Sequence, residues 1–422
     1  MSGGAAKLRR WLYAAVVLAA WFAPVFPDPP LHSGAYVQRV TETSAVVARI
    51  EPEAVVRALT VRDGSGAVVH RATAAARRRH AFAVAGLRPE TPYAFEVLDA
   101  AGVEVDRGVF RTAPAPGVDG LPLRFAVVGD SGALPWWVWV QRAPLFWFAA
   151  RNDWLPARGS VTEIGRRMAA DEPHLWLHTG DAVYSWGRHA HYAPAFFRPF
   201  AALLRRSPCY LVVGNHDLYD DEGRQAFRNL HLPEGEHTGD ERLYTFAWGP
   251  VRFVAVDLNQ ELHSDHATLD HLKKSLGSAE EPWRVVFGHQ PILSSSRQGD
   301  RPDLKAYLWP ALKEMNVDVV FFGHDHNYQR FGAAPGEPLL VVTGGGGKSV
   351  YELKDDARVA ASYQGYHYTR VDVTGRTMVL TAVALDGREV DRFELDLQQA
   401  AARKGVGPSS SGRDLRVQRL LK

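Results

Sequence analysis

The sequence predicts a layered α/β domain preceded by a small all-β domain. Three observations predict it. From Leu123 onward, apolar strand-like runs alternate with amphipathic helical stretches. Five of these runs end in a glycine followed by a residue type that ligates metals. Before them, residues 34–112 carry short strand-like segments separated by turn residues.

Length and composition set the frame. A chain of 422 residues has room for two or more domains, each with its own core. At 46% hydrophobic and 23% charged residues it is neither collagen-like nor wholly disordered. A formal charge of +2 argues against a nucleic-acid partner. Cys209 is the one cysteine, so no disulfide forms within the chain.

Residues 1–30 read as a signal peptide or membrane anchor. Lys7, Arg9 and Arg10 precede an apolar stretch from Trp11 to Phe26, a basic region followed by a hydrophobic one. The stretch is short against the about 20 residues a spanning helix needs. An ordinary secretory signal is the favoured reading. Arg9-Arg10 also fits twin-arginine export, and an uncleaved segment would anchor the chain. The expected location is outside the cytoplasm, secreted or periplasmic.

Within residues 34–112 the strand segments are AYVQRV, TSAVVARI, RALTVRD, AFAV, YAFEVLD and GVFRT. Asp63-Gly64 and Ala101-Gly102 mark turns. Residues 113–122 form a Pro/Gly-rich linker. Residues 123–397 form the α/β domain, with helices expected at Val161–Ala170, Ala193–Arg206, Ala267–Leu276 and Leu304–Met315. Four strands close it, at Leu339–Thr343, Tyr366–Thr374, Thr377–Ala384 and Glu389–Leu397. Residues 398–422 read as a basic, solvated tail.

The chemistry lies in the five glycine turns. They are FAVVGDSG (Asp130), LWLHTGDAVY (Asp181, Tyr184), YLVVGNHD (Asn215, His216), RVVFGHQP (His289) and VVFFGHDH (His324, His326). In α/β folds, ligands gather at the carboxyl ends of strands, where all five sit. Carboxylate, phenolate and amide oxygens with imidazoles suit Fe, Mn, Zn or Mg. Glycine before each ligand would let the backbone turn sharply and approach the ions. A carboxylate can bridge two ions about 3.5–4 Å apart, the spacing of two-metal hydrolases.

The order GD, GDxxY, GNHD, VxxH (Val286–His289) and GHxH (Gly323–His326) resembles the calcineurin-like metallophosphoesterases, and within them the purple acid phosphatases. The common branch has a histidine two residues after the first aspartate, where this chain has Gly132; the purple branch has a tyrosine three residues after the second, here Tyr184. The segment Leu87–Tyr93 resembles the corner of fibronectin type III domains, where a tyrosine hydroxyl bonds back to the backbone. The resemblance spans about residues 34–395. It implies a layered β-sandwich metallophosphoesterase domain flanked by helices, behind a fibronectin type III-like domain.

Carried over to this sequence, the resemblance implies that Asp130, Asp181, Tyr184 and His326 hold Fe(III). Asp181 bridges, and Asn215, His289 and His324 complete a second site for Fe(II), Zn or Mn. His216 faces the phosphate and assists the leaving group. The implied reaction is hydrolysis of a small phosphate monoester by metal-activated hydroxide. Alternatives are a phosphodiesterase or nucleotide pyrophosphatase on the same site, or a non-catalytic surface-binding protein. Asp217 stands where the family has glutamate and is expected to orient His216. Tyr328 and Arg330 read equally as residues that line the cleft or as packing of that turn. The loop after His289 lacks the family's usual aromatic residues.

Other features carry less. Residues 133–156, ALPWWVWVQRAPLFWFAARNDWLP, form an aromatic insertion beside the first metal motif. It reads as a locally packed insertion or as an apolar lid. With the N-terminal segment, such a lid would give membrane-surface contact. Gly344–Gly347 lacks P-loop spacing and reads as a tight turn by the cleft. Cys209 reads as an inert core thiol, Arg77–Arg79 as a solvated face, and His189 and His191 as surface histidines.

Overall fold

The computed structural model describes residues 11–15, 30–116, 118, 120–132, 159–184, 187–219, 224–233, 241–264, 266–332 and 337–397. Most of residues 1–30, the aromatic segment 133–156 and residues 398–422 lie outside the described residues. Among the described residues, no helix is long and apolar enough to cross a membrane.

The N-terminal region is all-β. Its strands are β1 (Tyr36–Gln38), β2 (Ser44–Asp63), β3 (Val68–Ala85), β4 (Pro92–Leu98) and β5 (Glu104–Arg111). They form one sheet in the order β1-β2-β4-β5, with β3 also paired to β2. TSAVVARI and RALTVRD, read separately from sequence, are two ends of the 20-residue β2. The register slips between Ile50 and Arg57, around Pro52. A proline there cannot donate to the ladder, so the strand survives as an irregularity and not as two elements. Both turns form as expected, with Asp63 Oδ1 accepting from Ser65 N and Asp99 Oδ1 from Ala101 N. Buried Tyr93 accepts at its hydroxyl from the Arg88 N–H at 2.9 Å, the corner contact anticipated above.

The remaining strands are β6 (Leu123–Val128), β7 (Leu175–His178), β8 (Cys209–Leu211), β9 (Tyr244–Trp248), β10 (Val251–Ala255), β11 (Trp283–Phe287), β12 (Val319–Phe322), β13 (Tyr328–Phe331), β14 (Leu339–Thr343), β15 (Val359–Tyr363), β16 (His367–Thr374), β17 (Thr377–Ala384) and β18 (Glu389–Asp396). They make two sheets, ordered β18-β17-β16-β6-β7-β8 and β15-β13-β14-β12-β11-β10-β9. The strands β6, β7 and β8 run parallel in the first sheet, and β10, β11, β12 and β14 in the second. Their near-continuous apolar runs suit strands covered on both faces. Between the sheets, Phe125 meets Phe253 and Phe321 edge-on, at centroid separations of 5.2 and 6.2 Å. A second core lies on the other side of the seven-stranded sheet, where Leu269, Leu272, Leu304, Leu308 and Leu312 join Val286 and Val320.

The helices Ser160–Ala170 and Ala267–Gly277 match expectation within a residue. The other two do not stay regular. Ala193–Phe197 is a π turn, followed after Pro199 by one α turn at Ala201–Leu204. Leu304–Leu308 is a π turn leading into the helix Trp309–Glu314, which has Pro310 near its start. Each proline removes an N–H from the ladder, and the wider turn accommodates the loss.

The N-terminal sheet is tied to the sandwich by polar contacts. Asp106 receives Arg49 at 2.6 Å, Arg205 at 2.9 Å and the Ala35 N–H at 2.8 Å. Arg79 donates to the Arg228 carbonyl and to Asn229 Oδ1, so it is a docking residue and not part of a solvated face.

Candidate metal centre

Both sheets deliver side chains to one place. The turn after β6 carries Asp130, the turn after β7 carries Asp181 and Tyr184, and the turn after β8 carries Asn215 and His216. The facing sheet supplies His289 after β11 and His324 and His326 after β12. All five strands are parallel members of their sheets, so their carboxyl ends point to the same edge of the sandwich.

The glycines act differently from the sequence expectation. Of the five preceding the ligands, only Gly180 has positive φ, at 94°. The left-handed conformation falls on the ligand residues themselves: Asp130 at 56°, Asp181 at 55° and His324 at 67°. Non-glycine residues there are uncommon and occur where surrounding structure enforces them. The glycines supply closeness. A Cβ on Gly214 would lie 2.1 Å from Asp181 Oδ1, and one on Gly323 2.6 Å from Asp130 Oδ2.

The side chains form two groups joined by Asp181. In the first, the Tyr184 hydroxyl lies 2.8 Å from Asp181 Oδ2, 3.0 Å from Asp130 Oδ1 and 3.2 Å from His326 Nε2. In the second, Asn215 Oδ1 lies 3.1 Å from both His289 Nε2 and His324 Nδ1, which are 3.3 Å apart. Asp181 turns Oδ2 to the first group and Oδ1 toward His289 Nε2, 3.6 Å away. Backbone groups fix the ring orientations. The Thr179 carbonyl lies 2.8 Å from His289 Nδ1, and the Ser349 carbonyl 2.6 Å from His326 Nδ1. The free ring nitrogens therefore aim inward, as metal-ligating histidines require.

The electrostatics fit this donor set to cations. Ligand atoms of Asp130, Asp181 and His289 all lie within 4.8 Å of one another. Burial, reinforced by the Asp181 charge, raises the Asp130 carboxyl well above its usual range. Burial and both aspartates push the Tyr184 phenol well up. Asp181 is held below its usual value, against burial, by His289, His216 and the His216 N–H. Burial lowers His324 and His326 to about 3, so both rings are neutral at ordinary pH. Two carboxyls and a phenol this close cannot all ionise unless positive charge sits among them, which bound cations would supply.

His216 stands apart. Its side chain is 32% exposed, against 2% for Asp181, 0% for His289 and 4% for His326. Its ring lies 4.5 Å from the Tyr184 ring, and Nε2 is 4.0 Å from Asp181 Oδ2. It edges the cluster without entering it.

Gly132 and Tyr184 turn out to be one feature. A Cβ at Gly132 would lie 1.6 Å from Tyr184 Cδ2 and 2.6 Å from its Cγ. The ring fills the space that a side chain at 132 would need, so the tyrosine and a residue larger than glycine at 132 exclude each other.

Several expectations require correction. Asp217 is fully buried, and its carboxylate is taken up by backbone donors and not by the His216 ring. Its carboxylate accepts from Gly214 N at 2.9 Å, Ala182 N at 3.1 Å and Val183 N at 3.3 Å. It therefore clamps the Asp181 and Asn215 turns together. Tyr328 and Arg330 both bind Asp391 on β18, at 2.8 and 2.7 Å, and that network holds them instead of the cleft. His191 is buried beneath the tyrosine turn, with Nδ1 3.4 Å from the Tyr184 carbonyl, and His189 is half-buried. The glycine run does abut the centre: Gly346 N donates to the Gly129 carbonyl, and Lys348 N to that of Asp130.

Other residues around the centre escaped the sequence reading. Ser294 and Ser296 donate to Asp325, and the Gln329 amide also reaches it at 3.3 Å, which fixes the turn between His324 and His326. Tyr351 stacks on His326 with ring centroids 4.0 Å apart. Lys348 Nζ lies 4.7 Å from the Tyr184 ring centroid. Serine and lysine carry no spacing signal that would mark these positions.

Comparison with known proteins agrees with this architecture. The profile of the calcineurin-like phosphoesterases matches residues 123–328. Over 237 residues the chain is 35% identical to purple acid phosphatase 17 of Arabidopsis thaliana, covering 48% of this chain and 69% of that one. It is 26% identical over 287 residues to purple acid phosphatase 21 of Arabidopsis thaliana, covering 64% of this chain and 58% of that protein's length. Among solved structures, a purple acid phosphatase from yellow lupin (Lupinus luteus) seeds superposes with a TM-score of 0.72 at 16% identity, over 92% of this chain and 78% of that one.

Proposed function

Because the chain belongs to the purple acid phosphatases within the calcineurin-like phosphoesterases, we propose that its metal-dependent phosphoester hydrolysis is directed at monoesters and runs at a dinuclear centre. The observation that carries this reading is the position of Asp181, one oxygen toward the Tyr184 group and the other toward the His289 group. Asp130, Tyr184 and His326 complete the first site, and Asn215, His289 and His324 the second. The phenolate of Tyr184 is a hard anionic donor and favours Fe(III) in the first site; the second takes Fe(II), Zn or Mn. Bound cations would polarise a phosphoryl oxygen and make water acidic enough to serve as nucleophile at ordinary pH.

The protein's own part is orientation and proton handling. Thr179 and Ser349 carbonyls hold the His289 and His326 rings, and Asp217 locks two ligand turns. His216, at the open edge, donates from Nε2 to the phosphate or to the departing alkoxide. The leader of residues 1–30 supports export, and a small phosphoester is the expected substrate.

The test compares a nitrophenyl phosphate monoester with the bis-ester, using metal-loaded protein, chelated protein and Asp181→Asn. The reading expects faster monoester turnover, lost on chelation and in the variant. Full activity in metal-free protein, or a preference for the bis-ester, would overturn it.

A further inference from the structure

The run LWLHTGDAVY brings Asp181 and Tyr184 to the centre, and its histidine has no part in the chemistry above. His178 ends β7 and is fully buried. Its ring sits among aromatic side chains, steeply inclined to Trp176, Phe196 and Phe200 at centroid separations of 6.2, 5.9 and 6.5 Å. The other residues of the strand, Leu175, Trp176 and Leu177, are apolar and buried. An imidazole in such surroundings is costly unless its ring nitrogens are bonded.

Both nitrogens are bonded, and their partners lie in the two aspartate turns. Gly180 N donates to His178 Nδ1 at 3.2 Å. A ring that accepts at Nδ1 is neutral and carries its proton on Nε2. Nε2 lies 3.0 Å from Ser131 Oγ and therefore donates to it. Ser131 Oγ in turn donates to the Ala182 carbonyl at 3.4 Å. Ser131 follows Asp130 in the chain, and Gly180 and Ala182 flank Asp181. One ring thus stitches the Asp130 turn to the Asp181 turn, beside the backbone bond from Asp130 N to the Gly180 carbonyl at 3.0 Å.

These turns need holding. Asp130 and Asp181 both adopt the left-handed conformation, with φ of 56° and 55°. Residues other than glycine keep it only where the surroundings enforce it. Asp217 holds the Asp181 turn on the Asn215 side, through Ala182 N and Val183 N. The His178 and Ser131 pair holds it on the Asp130 side.

We propose that His178 is a positioning residue, which through Ser131 fixes the Asp130 and Asp181 carboxylates at the spacing that cation binding requires. It acts through the backbone of the two turns and not on the substrate. The inference rests on the dinuclear reading above and adds to it a residue that presets the ligand geometry.

The test titrates the chelated full-length chain with Zn(II) against a chromophoric chelator, and follows thermal melting of the metal-free protein. It compares wild type, His178→Phe, His178→Gln, Ser131→Ala and the double variant His178→Phe/Ser131→Ala. Phenylalanine keeps the ring among its aromatic neighbours and removes both nitrogens. Zn(II) binding should weaken about 10–100-fold in His178→Phe, the usual effect of losing a group that supports the ligands. Ser131→Ala should weaken it in the same direction, and the double variant should be no weaker than His178→Phe, because both changes cut one link. Glutamine, whose amide nitrogen can take the place of Nε2, should recover part of the affinity. If His178→Phe does not fold, Ser131→Ala and His178→Gln decide by the same readout. A lower melting temperature with wild-type Zn(II) affinity, or losses that multiply in the double variant, would overturn the assignment and leave the dinuclear reading intact. Wild-type protein that binds no Zn(II) would overturn both.

Discussion

Gly132→Ala adds one methyl group in the space that the Tyr184 ring occupies. The new Cβ would sit 1.6 Å from Tyr184 Cδ2 and 2.4 Å from Cε2. No small adjustment relieves such overlap. The ring is 1% exposed, with His216 4.5 Å and Lys348 4.7 Å from its centroid. Overpacking of this kind costs about 1–3 kcal/mol. The larger effect falls on function, because relief requires moving the hydroxyl from its contacts of 2.8, 3.0 and 3.2 Å. Displacing a ligand should exceed the about 10–100-fold loss that follows removal of a residue one layer further out. Thermal melting, metal content and phosphatase activity measure the three consequences. In a Tyr184→Ala background the clash is gone, so the same alanine should cost almost no further stability. A Gly132→Ala protein with wild-type melting, metal content and activity would refute the reasoning.

Three further outcomes are expected. His216→Ala should lower kcat by about 10²–10⁴-fold, the usual range for a lost proton donor, with metal content unchanged; metal loss instead would make His216 a ligand. Asp106→Ala leaves Arg49 and Arg205 without their shared carboxylate, and should cost about 2–4 kcal/mol in denaturant unfolding; a change under about 0.5 kcal/mol, the scale of ordinary surface substitutions, would mean the N-terminal sheet is held by other contacts. Asp303 is held down to about 2, against burial, by Arg301 and the Leu262 N–H. Its folded pKa lies below the unfolded value, so its stabilisation is present above the ordinary carboxylate range and fades as pH falls toward 2. The stability gap between wild type and Asp303→Asn should therefore be full at pH 7 and close between about pH 4 and pH 2; a gap independent of pH would contradict the pairing.

The parts legible in the sequence are those with local periodicity. The buried parallel strands β6, β7, β11 and β12 are near-continuous apolar runs, and the candidate ligands follow them directly. Ser160–Ala170 and Ala267–Gly277 show helical spacing free of proline and fold accordingly. Ala193–Arg206 has the same spacing, but Pro194 and Pro199 interrupt its hydrogen bonds, so the pattern survives without a continuous helix. Residue roles that depend on three-dimensional neighbours were not legible. Asp217 sits where an orienting carboxylate was expected, yet three backbone donors claim it. Tyr328 and Arg330 follow the last motif directly, but Asp391, 63 and 61 residues further on, fixes their partners. The steric exclusion between the Tyr184 ring and any side chain at position 132 spans two turns and appears only when both are placed. Tyr351 meets His326 from a separate loop, and the two share no motif.

The central claim is that Asp181 joins two metal sites, one marked by the Tyr184 phenolate. Elemental analysis of purified protein together with its visible spectrum tests that claim most directly. Two metal equivalents per chain are expected, at least one of them iron. A visible charge-transfer band should accompany them and disappear in Tyr184→Phe while protein fold, read by circular dichroism, is kept. One equivalent or none in active protein, or a band that persists in Tyr184→Phe, would contradict it.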